Sequence, residues 1–163
     1  MIKIFVTIGN DKHRFNRLID KVVEIDEAND QFLFKIQYGH TKPKSKSKNY
    51  KDFISKEQFT HEIIESDLVI SHAGAGTLVQ VVNTGKKPIV VPRLFKFNEH
   101  LNDHQLEIAN EFEKSKYCDI ILDIDKLEEK IINSNKLIGI KIKSSLNSLI
   151  NSIKNDINYF LND

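Results

Sequence analysis

Short, nearly unbroken apolar runs alternate along this chain with longer stretches in which apolar residues recur every three or four positions. Ile2 to Ile8 is the first run, and it ends at Gly9-Asn10-Asp11, which supplies turn and capping chemistry before Phe15, Leu18, Ile19, Val22 and Val23 fall on one helical face. Phe32 to Tyr38 predicts a second strand. Tyr50 to Ile54 predicts a third, leading through Ser55 as a cap into a helix with Phe59, Ile63 and Ile64 inward. Leu68 to Ile70 is a fourth run, followed by a glycine loop and a helix that carries Leu78, Val79 and Val82. Pro88 to Val91 predicts a fifth strand, about His100 to Lys114 a helix, and Ile120 to Leu122 a sixth strand before Leu127, Ile131 and Ile132. Strands apolar on both faces and separated by helices imply a parallel, Rossmann-like α/β sheet with helices on both sides. After this core of residues 1–135, Leu137 to Leu161 carries Ile142, Leu146, Leu149, Ile150, Ile153, Ile157 and Phe160 at spacings of three and four, the pattern of a long amphipathic helix. That helix is expected to pack on its own domain or to bind a partner.

A chain of 163 residues is the size of one domain, so residues 1–163 are read as a single unit. The 24 Lys and Arg nearly balance the 23 Asp and Glu, which argues against a nucleic-acid binder; a small anionic ligand stays compatible. Cys118 stands alone, and there is no C-x-x-C or H-E-x-x-H pattern, so neither a disulfide, a redox pair nor a metal site is expected. No run approaches the ~20 apolar residues of a membrane span, and the expected location is the cytoplasm. Lys42, Lys44, Lys46, Lys48 and Lys51 make the 41–51 stretch a mobile basic loop, either simply solvated or drawn to an anionic membrane surface.

The most informative segment is Ser71-His72-Ala73-Gly74-Ala75-Gly76-Thr77, where a buried strand runs into a glycine loop that opens a helix. Such a junction aims main-chain N–H groups and the positive end of a helix dipole at an anion, and phosphate is the natural guest. The plainer alternative is a tight turn that lets helix and sheet pack closely. Thr77 adds either a hydroxyl donor to the phosphates or a cap to the helix. A dinucleotide fingerprint fits poorly, since Val79 stands at the third glycine position and the loop lies in the fourth unit.

Beyond this loop the order continues with Gly85-Lys86-Lys87-Pro88, Val90-Val91-Pro92-Arg93 and Glu99-His100-Leu101-Asn102-Asp103-His104-Gln105. In this order and spacing the segments resemble the C-terminal domain of family 28 glycosyltransferases. Phe5-Val6-Thr7-Ile8-Gly9 and Phe15-Asn16-Arg17-Leu18 are similar to the opening of small bacterial exopolysaccharide and capsule glycosyltransferase subunits. Those in turn resemble the catalytic subunit of the eukaryotic enzyme that forms dolichol-linked chitobiose from UDP-N-acetylglucosamine. The resemblance covers roughly residues 1 to 125.

The resemblance implies the donor-binding half of a GT-B fold, acting on a UDP-sugar with a membrane-anchored partner subunit that holds a lipid-linked glycan acceptor. It implies no metal and no other cofactor, and a peripheral position at the inner membrane face through that partner. Substrate contacts are implied for Gly9, Asn10, His72, Ala73, Gly74, Ala75, Gly76 and Thr77, with His72 facing the diphosphate. Gln80 stands where the family usually places a ribose-binding glutamate. Asp103, His104 and Gln105, with Glu99 and His100, are implied to contact the donor sugar, although Asn102 or Asp103 also suits a helix cap. Arg93 is expected either to pair with phosphate or to brace its loop through Glu99. Where relatives carry Gly-Thr-His-Glu, this chain has Gly9-Asn10-Asp11-Lys12 followed by His13. The general base is expected at the interface between the two halves; within this chain its candidates are Asp11, His13 and His100. The reading is a catalytic subunit, with a non-catalytic activator subunit as the alternative.

Overall fold

The structure is a computed structural model that describes residues 1–135. Six parallel strands form one sheet in the order β3-β2-β1-β4-β5-β6, with β1 Ile2–Thr7, β2 Phe32–Gln37, β3 Tyr50–Lys51, β4 Leu68–Ser71, β5 Ile89–Val90 and β6 Asp119–Ile120. Five helices connect and flank them: α1 Asn16–Ala28, α2 Lys56–Glu65, α3 Ala75–Asn83, α4 His104–Lys114 and α5 Leu127–Asn135. Central β1 pairs with β2 through Ile4↔Phe34 and with β4 through Ile4↔Leu68. Its side chains alternate between two buried layers. Ile4 and Val6 join Leu18, Ile19 and Val22 of α1 and Leu127 and Ile131 of α5 on one face. Phe5 meets Ile63 of α2 and Val81 of α3 on the other, where Leu78, Ala109 and Phe112 continue the core under α3 and α4.

The predicted alternation of strand and helix is thus present, with several adjustments. The third, fifth and sixth strands are only two residues long, and Leu122 is half exposed beyond β6. Ile64, expected inward, is 56% exposed, and Ile132 in the last apolar group is 45% exposed. Each follows a residue that does face the sheet, Ile63 or Ile131, and one further step turns the helix by about 100°, out of the apolar stripe. Ser55 caps α2 as expected, in a reciprocal box with Gln58. The 41–51 stretch is not a free loop. Thr41 Oγ1 accepts from Phe15 N at 2.7 Å, Lys44 pairs with Asp20 at 2.9 Å, and the Ser45 and Tyr50 hydroxyls reach Glu27 and Asp26 on α1. Cys118 is buried beside Ala109, where burial pushes its thiol up to about 12. The amphipathic segment Leu137 to Leu161 lies outside the described residues.

The strand order carries the functional geometry. Moving from β1 the chain builds outward to β2 and β3, then returns to build β4, β5 and β6 on the opposite side. At this reversal the loops after β1 and β4 diverge, and the crevice between them is where ligands settle on open α/β sheets.

Candidate functional site

Three loops meet at the carboxyl edge of the sheet: 8–15 after β1, 72–74 after β4 and 91–103 after β5. His72 joins the first two. Its main-chain N donates to Thr7 O at 3.2 Å, and its ring is wedged between two glycines. A Cβ at Gly9 would stand 2.6 Å from His72 Cε1, and one at Gly74 only 2.2 Å from His72 Nε2. Gly9 also has φ +70, so this position demands glycine twice over. The imidazole is 7% exposed and its Nδ1 has no hydrogen-bond partner. Burial, reinforced by the charge of Arg93, lowers its pKa to about 4, so the ring is neutral at pH 7.

Gly74 is the N-cap of α3, in extended backbone (φ −76, ψ 117), and no side chain caps the helix. The first intrahelical bond runs from Leu78 N to Gly74 O at 3.0 Å, which leaves the N–H groups of Ala75, Gly76 and Thr77 without an intrahelical acceptor. Thr77 therefore lies in the first turn and is not the cap. Gly76 is exposed, with nothing within 4 Å of an added Cβ. Ala73 is buried beneath the loop, while Asn10 and Gln80 are exposed, Gln80 nearly one turn beyond Thr77.

Arg93 takes the bracing role of the two expected of it. It is fully buried, donating through Nη1 to His13 O at 2.7 Å and Glu99 O at 3.3 Å and through Nη2 to Ile8 O at 3.0 Å, with its guanidinium 4.7 Å from the Phe15 ring centroid. Its burial lowers its pKa, opposed by the carboxylates of Asp11 and Glu99. Glu99 is likewise turned inward, 3% exposed, and holds Arg17 Nε and Nη2 at 2.9 Å each and Leu94 N at 3.1 Å. The sugar contact expected of Glu99 thus gives way to an internal ion pair. Arg17 was not singled out from the sequence as a site residue; only the Phe15-Asn16-Arg17-Leu18 similarity pointed toward it. Its Nη2 also reaches Pro92 O at 2.9 Å, and the Phe97 ring lies 4.9 Å away.

The predicted helix start at His100 moves to His104. Residues 98–103 instead form a turn, with Asn98 in the left-handed conformation at φ 55. Asn102 Oδ1 accepts from His104 N at 3.1 Å, whereas Asp103 Oδ1 accepts from Phe95 N at 2.8 Å, so Asn102 provides the cap-like acceptor. Gln105 is buried and its Oε1 accepts from Arg93 N at 3.1 Å. Asp103 is exposed, and half-buried His104 sits beside Glu107 at 3.0 Å.

The first loop also gathers Asp11, His13 and His100. Asp11 Oδ1 lies 2.7 Å from His13 N and 2.6 Å from His13 Nδ1, and His100 Nε2 stands 3.7 Å from Asp11 Oδ2. Partial burial opposes the Asp11 charge, but the His13 main-chain and ring N–H groups and the Arg93 charge outweigh it and hold the carboxyl below its usual value. Among the described residues no cluster suits a metal ion. Two clefts elsewhere, lined by Lys35, Lys51, Glu62 and His61 among others, lie on the α2 side of the sheet, away from the glycine loop.

The fold and site together define an α/β sheet with an anion-ready helix start at its topological switch. The sequence matches the glycosyltransferase family 28 C-terminal domain over residues 3–154, and the chain belongs to that family. It is 40% identical over 86 residues to the UDP-N-acetylglucosamine transferase subunit ALG13 of Candida albicans, covering 52% of this chain and 27% of that protein. It is 30% identical over 134 residues to the UDP-N-acetylglucosamine–N-acetylmuramyl-(pentapeptide) pyrophosphoryl-undecaprenol N-acetylglucosamine transferase of Prochlorococcus marinus, covering 71% of this chain and 37% of that one. The chain thus spans about a quarter to a third of these relatives. The crystal structure of the kitacinnamycin glycotransferase superposes with a TM-score of 0.66 at 16% identity, covering 94% of this chain and 39% of that one, a likeness of fold.

Proposed function

We propose that this chain is the donor-binding catalytic subunit of an inverting glycosyltransferase that moves a sugar from a UDP-sugar to a lipid-linked acceptor. The observation that carries the reading is the start of α3, where extended Gly74 and an uncapped first turn present main-chain N–H groups at the reversal of strand order. As the anomeric C–O bond breaks, its electron pair passes to the β-phosphate, and the charge that builds there is met by the N–H groups of Ala75 to Thr77 in place of a metal. Neutral His72 adds an uncharged donor beside them. On this reading Gln80, exposed on the same helix, meets the ribose, and exposed Asp103 with half-buried His104 meets the sugar hydroxyls.

The similarity to transferases named for UDP-N-acetylglucosamine makes that nucleotide sugar the first donor to test. A membrane-anchored subunit supplies the acceptor half in this proposal, placing the chain at the cytoplasmic membrane face in envelope polysaccharide or glycolipid synthesis. Isothermal titration of the full chain with UDP and UDP-N-acetylglucosamine, alone and with co-purified partner, tests the donor site. Saturable binding that Gly76→Val weakens is the expected result, and no saturable binding of either nucleotide in either setting refutes the reading. Gln80 in place of glutamate and the altered first loop favour the activator alternative, which predicts that the partner turns over without this chain.

A further inference from the structure

We propose that His13 is the general base of the transfer reaction and that Asp11 is its positioning residue, an inference that rests on the donor-site reading above. Asp11 Oδ1 receives two N–H groups of the same residue, His13 N at 2.7 Å and His13 Nδ1 at 2.6 Å, and this pairing fixes both the orientation and the tautomer of the ring. With the proton held on Nδ1 against the carboxylate, the lone pair is on Nε2. The His13 side chain is 38% exposed, so that nitrogen belongs to a group open to a second substrate. His13 thereby has the arrangement of a base with its orienter, lacking only the hydroxyl it deprotonates.

Two features fix the dyad relative to the donor loop. Arg93 Nη1 binds His13 O at 2.7 Å, so the base is tied to the network beneath the site. His72, whose ring touches both Gly9 and Gly74, spaces the first loop from the start of α3 by the thickness of one imidazole. His100 completes the cluster: its Nδ1 is 3.0 Å from Asn102 Oδ1 and its Nε2 is 3.7 Å from Asp11 Oδ2. Burial opposes the Asp11 charge, but the His13 N–H groups and the Arg93 charge hold its carboxyl below the ordinary value, in keeping with its place as the acceptor for His13 Nδ1.

The step balances without a further reactant. The acceptor O–H gives its proton to His13 Nε2 as the oxygen bonds to the anomeric carbon. The bond from that carbon to the β-phosphate oxygen breaks, its electron pair leaving with UDP, and the imidazolium then returns its proton to solvent. The ionisable groups around the dyad are His100, its ring centroid 6.0 Å from that of His13 and its Nε2 3.7 Å from Asp11 Oδ2, and Arg93, which binds the His13 main-chain O; the Asp11 and Arg93 charges are also felt at His72.

The test uses the full chain with its partner in membranes of the source cells, following radiolabel from UDP-N-acetylglucosamine into extractable lipid, beside UDP titration of the purified chain. We expect His13→Ala to lower the rate at saturating donor by about 100-fold or more, with UDP affinity unchanged and part of the rate restored by added imidazole. Asp11→Asn should lower that rate by less, with unchanged donor KM, and flatten its pH profile. A His13→Ala chain that transfers within about threefold of wild type while binding UDP overturns the base and leaves the donor site standing. Loss of UDP binding in His13→Ala overturns it as well, since the residue then serves the donor. Wild-type chain that binds UDP but adds nothing to the partner's own rate also overturns it, whereas wild-type chain that binds no UDP either alone or with the co-purified partner removes the donor reading beneath it.

Discussion

Replacing Gly74 with alanine tests the wedge that joins the two loops of the site. The new Cβ would stand 2.2 Å from His72 Nε2 and 2.8 Å from Cε1. The ring cannot retreat toward β1, because the Gly9 main chain closes that side, where an added Cβ would itself lie 2.6 Å from Cε1. Such overpacking costs about 1–3 kcal/mol, and at about 2–4 °C per kcal/mol for a chain of this size a mid-range cost of about 2 kcal/mol lowers Tm by roughly 4–8 °C. His72→Ala removes the obstacle, so the double variant should be less destabilised than the sum of the singles by more than about 1 kcal/mol. Urea unfolding of the four proteins measures this coupling directly. Gly76→Ala is the control: with nothing within 4 Å of the added methyl, it should gain up to about 1 kcal/mol from helix propensity. Additive effects of Gly74→Ala and His72→Ala, or equal losses at Gly74 and Gly76, would refute the wedge.

Two further outcomes follow from the buried polar groups. The His72 pKa is lowered to about 4 in the folded chain, so the unfolded chain takes up the proton first as pH falls; the stability present above about pH 6.5 should drop by about 1.4 kcal/mol per unit down to about pH 4, and His72→Gln should remove that part of the slope in urea titrations at stepped pH. Arg93→Lys gives up the fork that reaches Ile8, His13 and Glu99 carbonyls together, so it should cost about 2–3 kcal/mol in urea unfolding, and a loss below about 0.5 kcal/mol would deny the brace.

Sheet and helices were legible in the sequence because burial on both faces writes long apolar runs, as in Ile2 to Ile8, and because glycine punctuates the β4–α3 junction. The shorter strands were overestimated where the regular register ends before the apolar run does: Val91 remains buried past β5, its N–H still donating to Ser71 O at 2.9 Å, although it is no longer part of the strand. The face of α2 failed by one residue at Ile64, since two adjacent isoleucines do not reveal which one meets the sheet; the pair Ile131 and Ile132 divides in the same way. The glycine loop could be located from spacing alone, yet the reason for Gly9 and Gly74 could not. Both accommodate one histidine ring, which Gly74 meets from two positions along the chain and Gly9 from 63 positions away. Likewise Glu99 and Arg17 are 82 residues apart, so nothing local shows that their charges are consumed by each other.

That consumption shapes what the edge can do. Arg93 binds carbonyls from the 8–15 loop and from Glu99, its own N–H is held by Gln105 of α4, and Arg17 of α1 reaches both Pro92 and Glu99. His72 then links the 8–15 loop to the start of α3. The buried cations thus serve the loops themselves, and the uncapped N–H groups of α3 are held in place before any ligand arrives. An anion that settles there needs no ordering of the loops beneath it, so the conformational cost of building the pocket is met during folding.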